Sequence, residues 1–220
     1  MKYKTCVSIG EKSPRVLKGI LKKALSKSDF AEIRFDYLEK SDIPIVLEEI
    51  KKDLPRCVCT LRPKSEGGLF TGSENERKSI LRLISEYNPF LLDVEFNTIE
   101  KDSRLLAYLR NSKCRLLISW HDFKKTPKEN ELKVKFRKMT KFSDVVKIVT
   151  VAKNVSDASR LLSLYALKSK KKTIAFCMGE QGKFSRILCL HLGSPFTYVS
   201  LGKPIAAGQF SVEEIKSLQK

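Results

Sequence analysis

Val145-Val146-Lys147-Ile148-Val149-Thr150 is a run of branched apolar side chains interrupted by one ammonium group. Such a run favours an extended strand, and a strand of this composition carries Lys147 into the interior. Desolvation weakens a lysine's preference for its charged form, so the neutral amine becomes available to attack a carbonyl carbon and form a Schiff base. The preceding apolar run, Leu116-Leu117-Ile118-Ser119-Trp120-His121-Asp122, holds one of only two histidines in the chain. A buried amine and an imidazole on neighbouring strands together suit proton transfer next to an imine.

Counting outward from this pair, eight apolar runs recur: Thr5 to Ile9, Phe30 to Tyr37, Cys57 to Arg62, Leu91 to Phe96, Arg115 to His121, Val145 to Thr150, Thr173 to Met178 and Phe196 to Leu201. The segments between them are mostly amphipathic; in Glu74 to Tyr87, for instance, Ile80, Leu81, Ile84 and Tyr87 make one apolar stripe. Eight strand and helix pairs in 220 residues predict a single-domain (β/α)8 TIM barrel over residues 1–220. Side chains in such a barrel alternate between the lumen and the helix layer. The polar residues share one parity: Glu32, Arg34 and Asp36 against Ile33, Phe35 and Tyr37; Asp93 and Glu95 against Leu92, Val94 and Phe96; Ser119 and His121 against Ile118 and Trp120; Lys147 against Val146 and Ile148. Chemistry in this fold sits at the C-terminal strand ends, where Arg62 and His121 fall.

The formal charge of +18 raises the question of a polyanion partner. The lysines are instead spread over nearly every helical segment, as in Lys18, Lys22, Lys23, Lys51, Lys52, Lys133, Lys135, Lys138, Lys168 and Lys170 to Lys172, with no aromatic-and-glycine RNA motif beside them. They read as solvated helix faces, and no nucleic-acid partner is expected. No stretch approaches the ~20 apolar residues of a membrane span, and Met1-Lys2-Tyr3-Lys4 runs straight into a strand rather than a signal peptide, so the expectation is a cytoplasmic protein without a membrane partner. The six cysteines mostly interrupt apolar runs, and Cys57-x-Cys59 matches neither a redox pair nor a zinc knuckle, which favours buried free thiols and no metal site.

Several segments in order carry a resemblance: Glu32-Ile33-Arg34-Phe35-Asp36, Arg62-Pro63-Lys64-Ser65-Glu66-Gly67-Gly68, Ser119-Trp120-His121-Asp122-Phe123, Val146-Lys147-Ile148, Met178-Gly179 through Gly182-Lys183-Phe184-Ser185-Arg186, and Ala206-Ala207-Gly208-Gln209. Together they resemble the type I 3-dehydroquinate dehydratases (3-dehydroquinases) of the shikimate pathway over nearly the whole chain. The resemblance implies a lyase that dehydrates 3-dehydroquinate to 3-dehydroshikimate. Lys147 would form the Schiff base, His121 would serve as proton donor and acceptor, and Glu32 would orient His121. Arg186 would bind the substrate carboxylate. Glu32, Arg34 and Arg62 would contact ring hydroxyls, with Ser8 and Gln209 completing the polar set and Phe123, Met178 and Tyr198 as apolar walls. No cofactor is implied; a homodimer is. Gly193 to Gly208 suggests a lid. One departure is Ile205, where members of the family often carry a substrate-binding serine. The nearest rival is a Schiff-base aldolase, for which Gly179-Glu180-Gln181-Gly182 would have to cradle a phosphate.

Overall fold

Each apolar run becomes a strand followed by helix, in a computed structural model that describes residues 3–167 and 169–218; Met1, Lys2, Lys168, Gln219 and Lys220 lie outside the described residues. The strands are β1 (Thr5–Ile9), β2 (Phe30–Arg34), β3 (Cys57–Thr60), β4 (Leu91–Glu95), β5 (Leu116–Asp122), β6 (Val145–Val151), β7 (Lys172–Met178) and β8 (Thr197–Val199). The helices are α1 (Pro14–Lys27), α2 (Asp42–Glu49), α3 (Glu74–Glu86), α4 (Phe96–Lys101), α5 (Ser103–Asn111), α6 (Glu129–Met139), α7 (Val155–Leu162), α8 (Ser185–His191) and α9 (Val212–Ser217). One sheet joins the strands in the order β7-β6-β5-β4-β3-β2-β1-β8, with parallel pairing from β2 to β4 and from β5 to β7. Each strand therefore lies beside its predecessor, and β8 lies beside β1. This is the order of the predicted (β/α)8 barrel.

Several strands are shorter than their apolar runs, and side-chain chemistry explains where they stop. The second run ends as a strand at Arg34, and Phe35–Tyr37 turns as a 3-10 helix. The cause is the Asp36 carboxylate, which accepts from the Arg34 guanidinium at 2.7 and 2.8 Å and from the backbone N–H groups of Leu69 (3.0 Å) and Arg62 (3.3 Å). These bonds draw the chain out of the sheet, so Asp36 is buried without belonging to the strand parity assigned to it. The third strand stops at Thr60, leaving Arg62 in the loop after it, and Phe96 opens α4 instead of ending β4. The eighth is only Thr197–Val199.

The chain divides into two compact units, residues 7–116 and residues 1–6 with 117–220. In the first, α1 buries Leu17, Leu21 and Ala24, α2 buries Ile43, Val46 and Leu47, and α3 buries Leu81 and Ile84. Ile80 and Tyr87, the other members of the expected α3 stripe, are only half-buried, because Arg77 takes the neighbouring interior position. In the second unit, Leu132, Phe136 and Met139 of α6 and Ala158, Leu161 and Leu162 of α7 are buried, as are Ile174, Ala175 and Phe176 of β7. All six cysteines are buried free thiols, and burial pushes Cys57 and Cys114 up to about 12 and Cys189 up to about 11. Among the described residues, no helix is long and apolar enough to cross a membrane.

Helix α7 begins with a side-chain cap: Asn154 Oδ1 accepts from the Asp157 amide at 2.9 Å, while the Asp157 carboxylate accepts from the Lys153 amide at 2.9 Å. Asn154→Ala should cost about 1 kcal/mol of unfolding free energy and Asn154→Asp only a few tenths, as measured by urea denaturation.

Candidate active site

The candidate residues fall into two sets, one in each unit. In residues 117–220, β5 and β6 run parallel with Ser119 opposite Lys147 and His121 opposite Val149. Opposed residues share a face, and so do residues two apart, so His121 lies on the same face as Lys147, one step further along. Strand rise and spacing put the two Cα atoms about 8 Å apart. That is within reach for a lysine and an imidazole to serve one ligand atom group. Lys147 is 4% exposed, and its Nζ lies over the Tyr198 ring, 4.7 Å from the centroid. His121 is half-exposed, with its ring stacked at 6.0 Å and 21° against Phe123. Phe123 is itself 48% exposed, whereas Met178 and Tyr198 are buried. Of the three expected apolar walls, Phe123 therefore has one face in solvent.

Arg186 enters from the first turn of α8, and the sequence pins that turn to the end of β7. Ser185 Oγ accepts from the Cys177 amide at 2.8 Å and donates to the Gly182 carbonyl. A Cβ on Gly182 would sit 2.5 Å from that of Cys177, so only glycine permits the approach. The stretch Gly179-Glu180-Gln181-Gly182 thus closes into a 3-10 turn, its Gly182 amide donating to Gly179 O at 3.1 Å.

The guanidinium of Arg186 is 1% exposed and lies over the Phe176 ring at 4.4 Å. Its Nη2 donates to the Ala207 carbonyl at 3.1 Å, and its Nε is buried with no hydrogen-bond partner. Among the described residues, no acidic side chain pairs with it, and burial, the largest influence, lowers it to about 10, so it remains cationic at neutral pH.

The loop that supplies Ala207 also holds Gln209. Gln209 is buried, and its Oε1 accepts from the Ile205 amide at 3.2 Å. Ile205 thus serves the loop through its backbone, with no hydroxyl to offer. The expected lid, 193–208, is not one irregular stretch. β8 runs through it, and Ser200 is tied to Phe210 (2.8 Å) and Val212 (3.0 Å) by backbone bonds. Residues 193–196 and 201–208 are free of regular structure. His191, the second histidine, ends α8 and bonds Tyr3 Oη at 2.5 Å, a structural contact.

In residues 7–116 the polar set is a connected network. Both carboxylate oxygens of buried Glu32 accept from hydroxyls, Ser8 Oγ at 2.9 Å and Thr60 Oγ1 at 3.0 Å. Arg34 is held bidentate by Asp36 and lies over the Tyr37 ring at 5.2 Å. Arg62 donates to Glu95 and to Asp93, each at 2.7 Å, and Glu95 also accepts from Arg77 at 2.6 Å. Burial works against the Arg62 charge, but Asp93, Glu95 and Glu66 more than offset it and hold the guanidinium above its ordinary value. Arg62 is therefore neutralised by the protein, and Arg186 is not. Sequence reasoning overlooked Thr60, Arg77 and Phe176 as parts of the site. Phe176 shares its strand face with Met178, two residues on, and that parity was the available signal.

The family model for type I 3-dehydroquinase matches residues 5–220. The chain belongs to that family. Among curated relatives, the 3-dehydroquinate dehydratase of Methanopyrus kandleri is 33% identical over 193 residues, 87% of this chain and 86% of the relative. That of Methanococcus maripaludis is 36% identical over 202 residues, 90% and 89% of the two chains. Among solved structures, the type I 3-dehydroquinate dehydratase of Clostridium difficile with covalently modified comenic acid superposes with a TM-score of 0.89 at 26% identity, covering 99% of this chain and 91% of that one. The Aquifex aeolicus 3-dehydroquinate dehydratase does so with 0.82 at 27% identity, covering 99% and 97%. For the type I 3-dehydroquinase fold the unpaired Arg186 has a thermodynamic consequence. Arg186→Met removes a buried cation that has no counterion, so thermal unfolding should shift upward by roughly 1–3 kcal/mol of stability. The same variant should lose the stabilisation that an anionic ligand gives the parent, read as the ligand-induced rise in Tm.

Proposed function

We propose that the chain is a 3-dehydroquinate dehydratase, a carbon–oxygen lyase in which Lys147 forms a Schiff base and His121 moves the protons. The observation that carries the reading is Arg186, a buried guanidinium left without an acidic partner in the unit that also buries Lys147. A buried cation of this kind asks for an anion from outside, and a planar guanidinium suits a carboxylate through two parallel hydrogen bonds. The family of the chain and the named relatives support the same substrate.

The reaction follows from these groups. Lys147 Nζ adds to the ring ketone and the carbinolamine loses water, leaving an imine. Protonated, the imine withdraws electrons from the adjacent carbon and acidifies its C–H, which His121 deprotonates to give an enamine. The enamine electrons expel the hydroxyl on the next carbon, and the imidazolium of His121 protonates it as it leaves. Water then attacks the conjugated iminium and releases 3-dehydroshikimate and the free amine. By family resemblance Glu32 orients His121, while Ser8, Arg34, Arg62 and Gln209 hold the ring hydroxyls and Phe123, Met178 and Tyr198 exclude water. Because Arg62 is already paired to Asp93 and Glu95, it favours a neutral hydroxyl over a second anion. The reading includes one catalytic domain over residues 1–220, a cytoplasmic location and a homodimer.

Reduction with borohydride in the presence of 3-dehydroquinate should fix a covalent adduct on Lys147. Mass spectrometry that finds the label on another lysine, with Lys147 unmodified, would remove Lys147 from the mechanism. His121→Ala should keep the amine and lose the proton shuttle, lowering the rate by about 10²–10⁴ or more. Its intact mass should then show adduct accumulating without reductant. Near-normal turnover, followed through the absorbance of the conjugated enone, would exclude His121.

A further inference from the structure

Two buried cations in residues 117–220 rest on aromatic faces, and the two rings adjoin. Arg186 lies over Phe176 with its Cζ 4.4 Å from the centroid, and Lys147 Nζ lies 4.7 Å from the centroid of Tyr198. The Phe176 and Tyr198 centroids are 6.1 Å apart at 56°. Phe176 is buried on β7, and its neighbour in register on β6 is Val149, two residues after Lys147.

A guanidinium taken out of water must be held by something, and a resident carboxylate is the usual partner. Arg62 is held in that way, and Arg186 is not. A resident carboxylate at Arg186 would compete with any anion that arrived. An aromatic face instead attracts the cation through the ring quadrupole and occupies none of its N–H donors. The edge donors that Ala207 leaves free then stay available to a ligand.

We infer that Phe176 is a positioning residue for substrate binding: its ring seats Arg186 without neutralising it, leaving the substrate carboxylate as the anion that completes the pair. This rests on Arg186 being the carboxylate site, as proposed above. Phe176 touches Arg186 and acts through it. Its effect therefore belongs to binding, with little separate contribution to the chemical step. Val149, its neighbour in register, offers no charge or ring to replace it.

The test is a double-mutant cycle with steady-state kinetics on 3-dehydroquinate. Phe176→Leu keeps apolar bulk and loses the quadrupole; KM should rise about 5- to 30-fold with kcat changed less than about threefold. Phe176→Tyr should restore most of the loss. In an Arg186→Ala background, Phe176→Leu should change KM by less than about twofold, since the partner through which it acts is gone. Urea unfolding of each variant shows whether the fold persists, and if Phe176→Leu does not fold, Phe176→Met takes its place in the cycle. An unchanged KM for Phe176→Leu, or effects of the two substitutions that simply multiply, would overturn the inference while leaving Arg186 as the carboxylate site. An unchanged KM for Arg186→Ala would overturn both.

Discussion

Removing an arginine from water carries a penalty of several kcal/mol unless something inside the protein takes over its charge. This chain buries Arg62, Arg77 and Arg186 almost completely, and it does so in two different ways. In residues 7–116, Arg62 and Arg77 share Glu95, Arg62 also takes Asp93, and Arg77 reaches Glu74 and Thr98. Both of these buried guanidiniums meet carboxylates, so the network is satisfied and stiff. In residues 117–220, Arg186 has a carbonyl, a ring face and no acid.

That asymmetry sets a compensated network apart from an uncompensated charge. A satisfied network specifies where β3 and β4 place their polar residues, and its removal piece by piece would strand the remaining charges. An unsatisfied cation does the opposite, since it lowers the stability of the unliganded protein and raises its affinity for an anion. Burial holds Arg186 down to about 10, still well above neutral pH, so the charge is retained under working conditions. The large surplus of lysine plays a different part. Lys18 and Lys51 pair with Glu49 and Glu48 as exposed residues, and exposed pairs contribute little to stability.

Close backbone approaches hold the surroundings of Arg186 in place. Gly182 lies against Cys177, and Gly208, at φ +71°, lies against the carbonyl of Gly179. These glycines let the turn before α8 and the loop before α9 come together, which puts Ala207 where Arg186 can reach its carbonyl. Gln209 then folds its side chain back on the Ile205 amide.

The sequence by itself determined the number and order of the strands, because eight branched apolar runs with amphipathic segments between them leave a parallel sheet as their way to bury both faces. It also determined that Lys147 and His121 each alternate with apolar neighbours along their own strands, since strand parity is a local property of the chain, while the register of β5 on β6 puts the two on one face. Where the strands stop was not legible, because Asp36 ends β2 by bonding to Arg62 and Leu69, which are distant in sequence. Nor could the sequence show that Arg62 is neutralised and Arg186 is not. Both are arginines in short polar segments, and their difference lies in which carboxylates folding brings within hydrogen-bond reach. Only the tertiary structure decides that, because the energy of a buried charge depends on the few groups within some 4 Å of it, however far apart they lie along the chain.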